Sequence, residues 1–370
     1  MAHTIRQMKM EDAAAISGLL DWAWFAHRSE AGWKWLARTP RSREARAIPV
    51  GLVAEDADGR VGGVVGIFAQ DYAIGDDWVV GVTGHTLIVD PAMKGVASKL
   101  LRRYAETEGV FGVFHFNANA LSAPMYSRFG FSGWPVDNPD LKLVWPVDPL
   151  AILAERASAA TLRGRRPGQE MFLRDRLFTP DLIRLGANVE QVFADQVDAR
   201  FDRFWDALRA EGVLTARRDA ASLRWRMSDP DRTLDPFLLV WSEDGEIAGY
   251  VLAQIIKVNE ATAPDLEIVD VVALKHSADR AIPGLVHALL KNGPRLGVAR
   301  VRLSVVSREL ARRLGGVSGA LKVRRHVHGH ARLSDEGVIQ ASRWRLTPYD
   351  GDYGFCLRSP PRPQNHRVAA

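Results

Sequence analysis

The stretch Asn119-Ala-Leu-Ser-Ala-Pro-Met-Tyr126-Ser-Arg-Phe-Gly130-Phe131 decides how this chain is read, together with Leu87-Ile88-Val89-Asp-Pro-Ala-Met-Lys94-Gly95-Val96-Ala97-Ser98-Lys99-Leu-Leu101 upstream of it. In the upstream stretch an apolar strand runs into Asp90-Pro91 and a glycine turn, after which Val96, Leu100, Leu101 and Tyr104 recur on one helical face. The turn therefore opens a helix. A helix start leaves N–H groups unpaired and carries partial positive charge, which suits a pyrophosphate. Residues 111–117 supply the next strand and residues 122–129 the next helix, leading into Gly130-Phe131.

Outward from these stretches, the first half alternates strands and helices. Residues 50–54, 61–69 and 78–89 are β-rich, and Asp56-Ala-Asp-Gly59 is a turn signature between the first two. Residues 5–20 carry apolar side chains at helical spacing behind Asp12, while Trp22, Trp24, Phe25, Trp33 and Trp35 form an aromatic cluster read mainly as core. The Arg/Gly/Pro-rich residues 163–168 read as an exposed linker. Beyond it, residues 197–208 are helical with Phe201, Phe204 and Trp205 inward, and residues 237–240, 247–255 and 266–274 repeat a meander around Glu243-Asp-Gly245. A helix at 281–290, a strand at 298–306 and a helix at 308–314 complete the same order of elements.

The paired motifs resemble the Gcn5-related N-acetyltransferases, the GNAT superfamily, in order and separation. The resemblance implies an α/β fold of two GNAT-like domains, each a mixed, mostly antiparallel central sheet flanked by helices. It divides the chain into an N-terminal domain at 1–146 with the acyl-CoA site, a linker with a helix at 147–185, a degenerate second domain at 186–350 and a flexible tail at 351–370. It further implies acetyl-CoA held between two splayed parallel strands by Leu87, Ile88, Val89, Lys94, Gly95, Val96, Ala97, Ser98, Lys99 and Asn119, with the Tyr126 hydroxyl at the thioester sulfur. The turn Lys94-Gly95-Val96-Ala97 is shorter than the family's Q/R-x-x-G-x-(G/A) pattern. In the second half Lys275-His-Ser-Ala-Asp279 follows Val271-Val-Ala-Leu274 with no glycine turn, so the fold reads as repeated and the cofactor site as lost.

Moving an acyl group from a thioester to an amine needs a deprotonated nucleophile, a polarised carbonyl and a proton for the departing thiolate. Tyr126 is the candidate acid. His85 is the candidate base, because strand periodicity sets it on the face of Leu87 and Val89; Asp71, Asp76 and Asp77 in the preceding turn are weaker candidates. Asn119 reads as a helix cap or a pantetheine contact. The alternating histidines of His326-Val-His-Gly-His330 lack a cysteine or carboxylate at ligand spacing, so they read as an exposed strand or turn and no metal is expected.

Composition agrees with a two-domain chain of 370 residues, and its formal charge of +5 suits a polyanionic nucleotide while no nucleic-acid motif accompanies the arginine-rich pieces. No apolar run reaches the roughly 18 residues of a membrane helix and no apolar signal segment opens the chain, so a cytoplasmic protein is expected. The lone Cys356 leaves no internal disulfide. The expected activity is transfer of an acetyl group from acetyl-CoA to an amine acceptor that the sequence leaves open. Two alternatives stand beside it: a non-catalytic tandem binding or scaffold protein, and an acyl or aminoacyl transferase using a carrier protein or aminoacyl-tRNA.

Overall fold

Two β-rich runs meet at Gly75, whose φ of +63° sets the first central position of a two-residue turn and closes the longest hairpin in the chain, Val61–Ile74 against Asp77–Val89. The computed structural model describes residues 3–23, 28–162, 185–257 and 262–357. In chain order its strands are β1 (Thr4–Gln7), β2 (Gly51–Glu55), β3 (Val61–Ile74), β4 (Asp77–Val89), β5 (Gly112–His115), β6 (Ser132–Gly133), β7 (Leu141–Pro146), β8 (Val189–Val192), β9 (Thr215–Ala216), β10 (Phe237–Glu243), β11 (Glu246–Ile256), β12 (Asp265–Ala273), β13 (Arg300–Leu303), β14 (Leu321–Arg324) and β15 (His330–Leu333). The helices are α1 (Ala13–Ala23), α2 (Glu30–Ala37), α3 (Arg43–Ala47), α4 (Val96–Ala105), α5 (Ala123–Ser127), α6 (Pro149–Leu162), α7 (Ala199–Arg209), α8 (Ala220–Met227), α9 (Ala278–Asn292), α10 (Arg308–Arg313) and α11 (Asp335–Ala341).

Two mixed, mostly antiparallel sheets result. The first runs β1-β2-β3-β4-β5-β15-β6, with β9 on the far end of β3, and the second runs β14-β7-β13-β12-β11-β10-β8. Only β4 with β5 and β12 with β13 pair in parallel. Each sheet also borrows a strand. β15, from near the end of the chain, lies between β5 and β6, while β7, from the first half, lies between β13 and β14. The boundary expected at 146 thus falls at the end of a strand that belongs to the second sheet. Leu141, Leu143 and Trp145 are buried in that sheet's core beside Leu266, Ile268 and Val301.

A further core lies between the halves. Tyr72, Phe111, Phe114 and Phe116 from the first pack with Phe201, Phe204, Tyr250 and Leu252 from the second. One face of the first sheet is covered by α4, through Val96, Leu100, Leu101 and Tyr104, and the other by α1 and α2, through Ile16, Leu20, Trp33 and Leu36.

Several local expectations change. Residues 4–7 form an edge strand rather than the start of a helix, because Arg6 ties Glu55 of the neighbouring strand to Asp12 and so fixes an extended backbone there. Gly351, Asp352, Tyr353, Gly354 and Phe355, placed by sequence at the start of a flexible tail, are buried between the halves. The tail beyond residue 357, the linker at 163–168 and the side chains of Trp22, Trp24 and Phe25 lie outside the described residues.

Exchange of a strand in each direction couples the sheets, so the two halves are expected to open as one unit. Native-state hydrogen exchange should return the same opening free energy for amides of β3–β4 and of β11–β12. Ala331→Pro, which removes a ladder donor in a strand paired on both edges, should lower both together; loss of protection in the first sheet alone would show that the halves are separable.

Candidate active site

The parallel pairing of β4 with β5 ends at Thr83 and Phe114, and beyond it the two strands part. At the mouth of this fork the His115 ring donates from Nδ1 to the Gly84 carbonyl at 2.6 Å, and the Tyr104 hydroxyl donates to the Phe114 carbonyl at 2.6 Å. Thr86 follows at φ +53°, and the β3–β4 register slips between Val64 and Gly66.

That bulge reverses the alternation of side chains. Leu87 and Val89 pack in the core under α4, whereas His85 turns to the opposite face, against Trp33 at 5.6 Å between centroids and Phe355 at 5.2 Å. The expectation that His85 shares a face with Leu87 and Val89 therefore fails, because period 2 does not survive an extra residue. Burial, reinforced by Arg28 and His115, lowers the His85 pKa to about 3, so the ring is neutral at physiological pH. Its Nδ1 meets the Thr86 hydroxyl at 2.9 Å, and its buried Nε2 has no partner.

Tyr126 sits on the α4 side of the fork. Its ring lies nearly parallel to the imidazoles of His115 and His330, each centroid 5.1 Å away, with Phe131 edge-on at 5.3 Å. Burial first, then the charge of Asp352, pushes the phenol pKa up, so the hydroxyl stays protonated at neutral pH. His85 and Tyr126 thus face the fork from opposite sides of the sheet. Asp352, 2 % exposed, reaches the same place from the strap at residues 348–356. Its carboxyl is pushed up by burial and restrained by His115 and Lys142, and its Oδ1 has no hydrogen-bond partner. Sequence gave no sign of Asp352, His115 or His330 in the site; the only available signal was the alternation of histidines ending at His330.

The glycine turn before α4 is open. Gly95 caps α4 at φ +79° with empty space where a Cβ would point, and the shortened loop starts the helix directly after it. Asp90 and Met93 fold the turn on themselves, since Met93 N–H donates to the Asp90 carbonyl at 2.8 Å and Val96 N–H to the Met93 carbonyl at 3.3 Å. The N–H groups of Lys94, Gly95, Ala97 and Ser98 find no acceptor among the described residues. The Lys94 and Lys99 side chains are exposed beside them. Asn119 shapes the turn before α5, its Oδ1 accepting from the Leu121 and Ser122 N–H groups at 3.0 and 2.8 Å, while the helix itself starts after Ser122 without a side-chain cap. Asp71 accepts from Ser42 N–H, Asp76 pairs with Arg209 and Asp77 is exposed, all at the hairpin end of β4 away from the fork.

The second half has a fork after Ile268 and Leu303, but a fixed one. Asp270 there binds the fully buried Arg218 at 2.9 Å, the Tyr250 hydroxyl at 2.6 Å and the Thr347 hydroxyl at 2.7 Å. The turn before α9 is paired in part. Ser277, Arg280 and Ala281 N–H groups donate to backbone carbonyls, Lys275 N–H to Glu211, and the Ser277 hydroxyl to Glu243.

The histidine run is a seam rather than a metal site, and no group of three metal-binding side chains occurs among the described residues. It was expected to be exposed; instead His328 and His330 are each 3 % exposed, because the backbone threads between the ends of both forks. His326 Nε2 donates to Ala118 O at 3.0 Å in the first half, and His328 Nε2 to Ser304 O at 2.7 Å in the second.

No family model and no curated protein matches the sequence. Solved structures do. N-myristoyltransferase of Saccharomyces cerevisiae with bound myristoyl-CoA superposes with a TM-score of 0.51 at 10% identity, covering 90% of this chain and 78% of the other. A GCN5-related N-acetyltransferase from Anabaena variabilis gives 0.51 at 13% identity, covering 90% and 73%. The fold is that of the GCN5-related N-acetyltransferases. A protein of Enterococcus faecalis described as a probable N-acyltransferase is similar at a TM-score of 0.50 and 11% identity, over 90% of this chain and 73% of the other. No described helix is long and apolar enough to cross a membrane.

Acidification should act on the seam in a defined window. Burial, aided by Lys142, lowers the His328 pKa to about 4 from 6.5, so its contribution to stability is complete above pH 6.5 and is lost as pH falls from there toward 4. Relative to His328→Gln, the native chain should lose about 2 kcal/mol more between pH 6.5 and 5, at roughly 1.4 kcal/mol per pH unit. Parallel urea titrations of the two proteins across that range measure it; equal slopes would mean that His328 is not buried neutral.

Proposed function

We propose that the chain is an N-acyltransferase that binds acetyl-CoA in its first half and passes the acetyl group to an amine. The observation that carries this reading is the set of unpaired N–H groups at Lys94, Gly95, Ala97 and Ser98, which open beside a strand fork faced by Tyr126. Such a helix start binds phosphate through its dipole and its free donors. Leu87, Ile88 and Val89 would line the pantetheine path, and Lys94 and Lys99 would add charge at its outer end. The second half differs: its turn presents Glu211 and Glu243, which oppose a phosphate, and its fork holds the Arg218–Asp270 pair.

The thioester supplies an activated acyl carbon. The amine nitrogen bonds to that carbon, the C–S bond breaks, and the sulfur takes a proton from the Tyr126 hydroxyl. The proton lost by the amine goes to a second group at the fork. His85 Nε2 is free to accept a hydrogen bond there, but its lowered pKa makes it a weak base. Asp352, whose carboxyl is raised by burial and whose Oδ1 is unpartnered, is the stronger acceptor for that proton. An ascending kcat/KM limb near pH 6.5 is therefore not the signature of His85 here.

Two measurements on the full chain test the reading. Ser98→Asp places a carboxylate in the first turn of α4, where it favours the helix dipole yet opposes a pyrophosphate. Calorimetry should show acetyl-CoA affinity reduced by about tenfold or more while the melting temperature holds or rises; undiminished affinity would move the donor site elsewhere, and no binding by the native chain would favour a carrier-bound donor.

Tyr126→Phe keeps the ring and deletes the proton donor. Thiol release from acetyl-CoA in the presence of primary amines should fall by roughly 10²- to 10⁴-fold at unchanged KM for the donor. An unaltered rate under chemistry-limited conditions removes Tyr126 from the proton transfer.

A further inference from the structure

We propose that the active centre is composite, the exchanged strand β15 of the second half supplying His330 as a positioning residue that, with His115, fixes the ring of Tyr126. The inference rests on the reading of Tyr126 as the acid. His330 and His115 are direct cross-strand partners, so their side chains leave the sheet side by side on one face. Tyr126 projects from α5 onto that pair and lies nearly parallel to both rings, at 9° to His115 and 19° to His330, while Phe131 closes a third side at 80°. A ring so bounded on three sides is restricted in orientation, and its hydroxyl with it.

Each imidazole is itself fixed. The Gly84 carbonyl accepts from His115 Nδ1, and β15 is held on both edges, Ala331 pairing with Phe114 and with Ser132. The α5 helix that carries Tyr126 is short, Ala123–Ser127, so its own backbone constrains the side chain weakly. Orientation of the donor therefore has to come from the platform beneath it. His330 brings no hydrogen bond to Tyr126, and its buried Nδ1 is unpartnered. Its contribution is a flat face at a set height, which an aromatic substitute can reproduce and an aliphatic one cannot.

The test compares His330→Phe with His330→Leu in the full chain, using acetyl-CoA with a polyamine, an amino sugar and a lysine peptide as acceptors. His330→Leu should lower kcat by about tenfold or more with the donor KM unchanged, since small displacements of a positioned group are costly in rate, and His330→Phe should restore the native kcat within about threefold, a difference no larger than the energy of one aromatic pair. In a Tyr126→Phe background the Leu substitution should have no further effect. Equal losses in both variants, a change confined to KM, or additivity with Tyr126→Phe overturns the proposal. A second readout needs no turnover: with 3-fluorotyrosine incorporated, the fluorine resonance assigned to Tyr126 should shift and broaden in His330→Leu and stay near its native position in His330→Phe. If Tyr126→Phe proves fully active, the acid assignment falls while this resonance still reports on the clamp, and an unmoved resonance in His330→Leu rejects the clamp itself.

Discussion

The hydrogen-bond ladder between His330–Leu333 and Gly112–His115 is the constraint on which the rest of the molecule depends. β5 is the strand at which the first sheet opens, so it pairs with β4 over only three residues and would otherwise carry an unpaired edge along its length. The second half covers that edge. In return the first half sends Leu141–Pro146 to the matching edge of β13, pairing Leu143 with Leu303 and Arg300 with Pro146. Neither sheet is complete without the other. The aromatic core between them, with Tyr72, Phe111 and Phe114 meeting edge to face, follows from the exchange and excludes water from the joint.

The same joint delivers the strap. Its backbone would be buried with unsatisfied carbonyls, a cost of about 1–3 kcal/mol each, were it not met by side chains from both halves. Gln70 donates to Asp350 O and Arg28 to Phe355 O from the first half; Arg226, Gln254 and Arg232 donate to Tyr349 O, Tyr353 O and Gly354 O from the second. Arg226 has no carboxylate partner at this point. Its guanidinium is instead enclosed by the rings of Tyr349 at 3.9 Å, Phe68 at 5.1 Å and Phe355 at 5.5 Å, which favour a cation without adding an anion to the site. The strap thereby places Asp352 beside Tyr126 and Phe355 against His85.

Much of this architecture is local and was legible. Asp56-Ala-Asp-Gly59 and Glu243-Asp-Gly245 specify their turns by themselves, with Gly59 and Gly245 at φ near +80° and Asp244 at +52°. The helix from Val96 follows from its apolar period, and Asn119 carries the side-chain chemistry of a turn. What sequence could not show is non-local or turns on one residue. The four-residue β15 has no periodic signal distinguishing a partner within its own half from one across the molecule. Thr86 is β-branched and ordinarily extended, so nothing in its identity announces the positive φ that sends His85 to the other face. Gly351 and Gly354 read as loop punctuation, although an added Cβ would strike Phe116 at one and Arg226 at the other, the mark of close packing.

The two halves show how one backbone can support opposite electrostatic outcomes. Both place a helix start after the central strand and both part their strands beyond it. In the first half, glycine at the cap leaves the amides facing outward with lysines nearby, so local potential is positive and unspent. In the second, Lys275 N–H donates to Glu211 and the Ser277 hydroxyl to Glu243, so two carboxylates stand at the turn and offset its positive potential. The Arg218–Asp270 pair then occupies the interior of the second fork, where removing either partner would strand a buried charge at a cost of about 3–5 kcal/mol. A rigid second fork fixes Thr347, which donates to Asp270, and with it the strap's first turn, since Asp350 accepts from the Thr347 N–H at 2.8 Å. The loss of ligand space in one half and the positioning of Asp352 and His330 in the other are two consequences of the same packing.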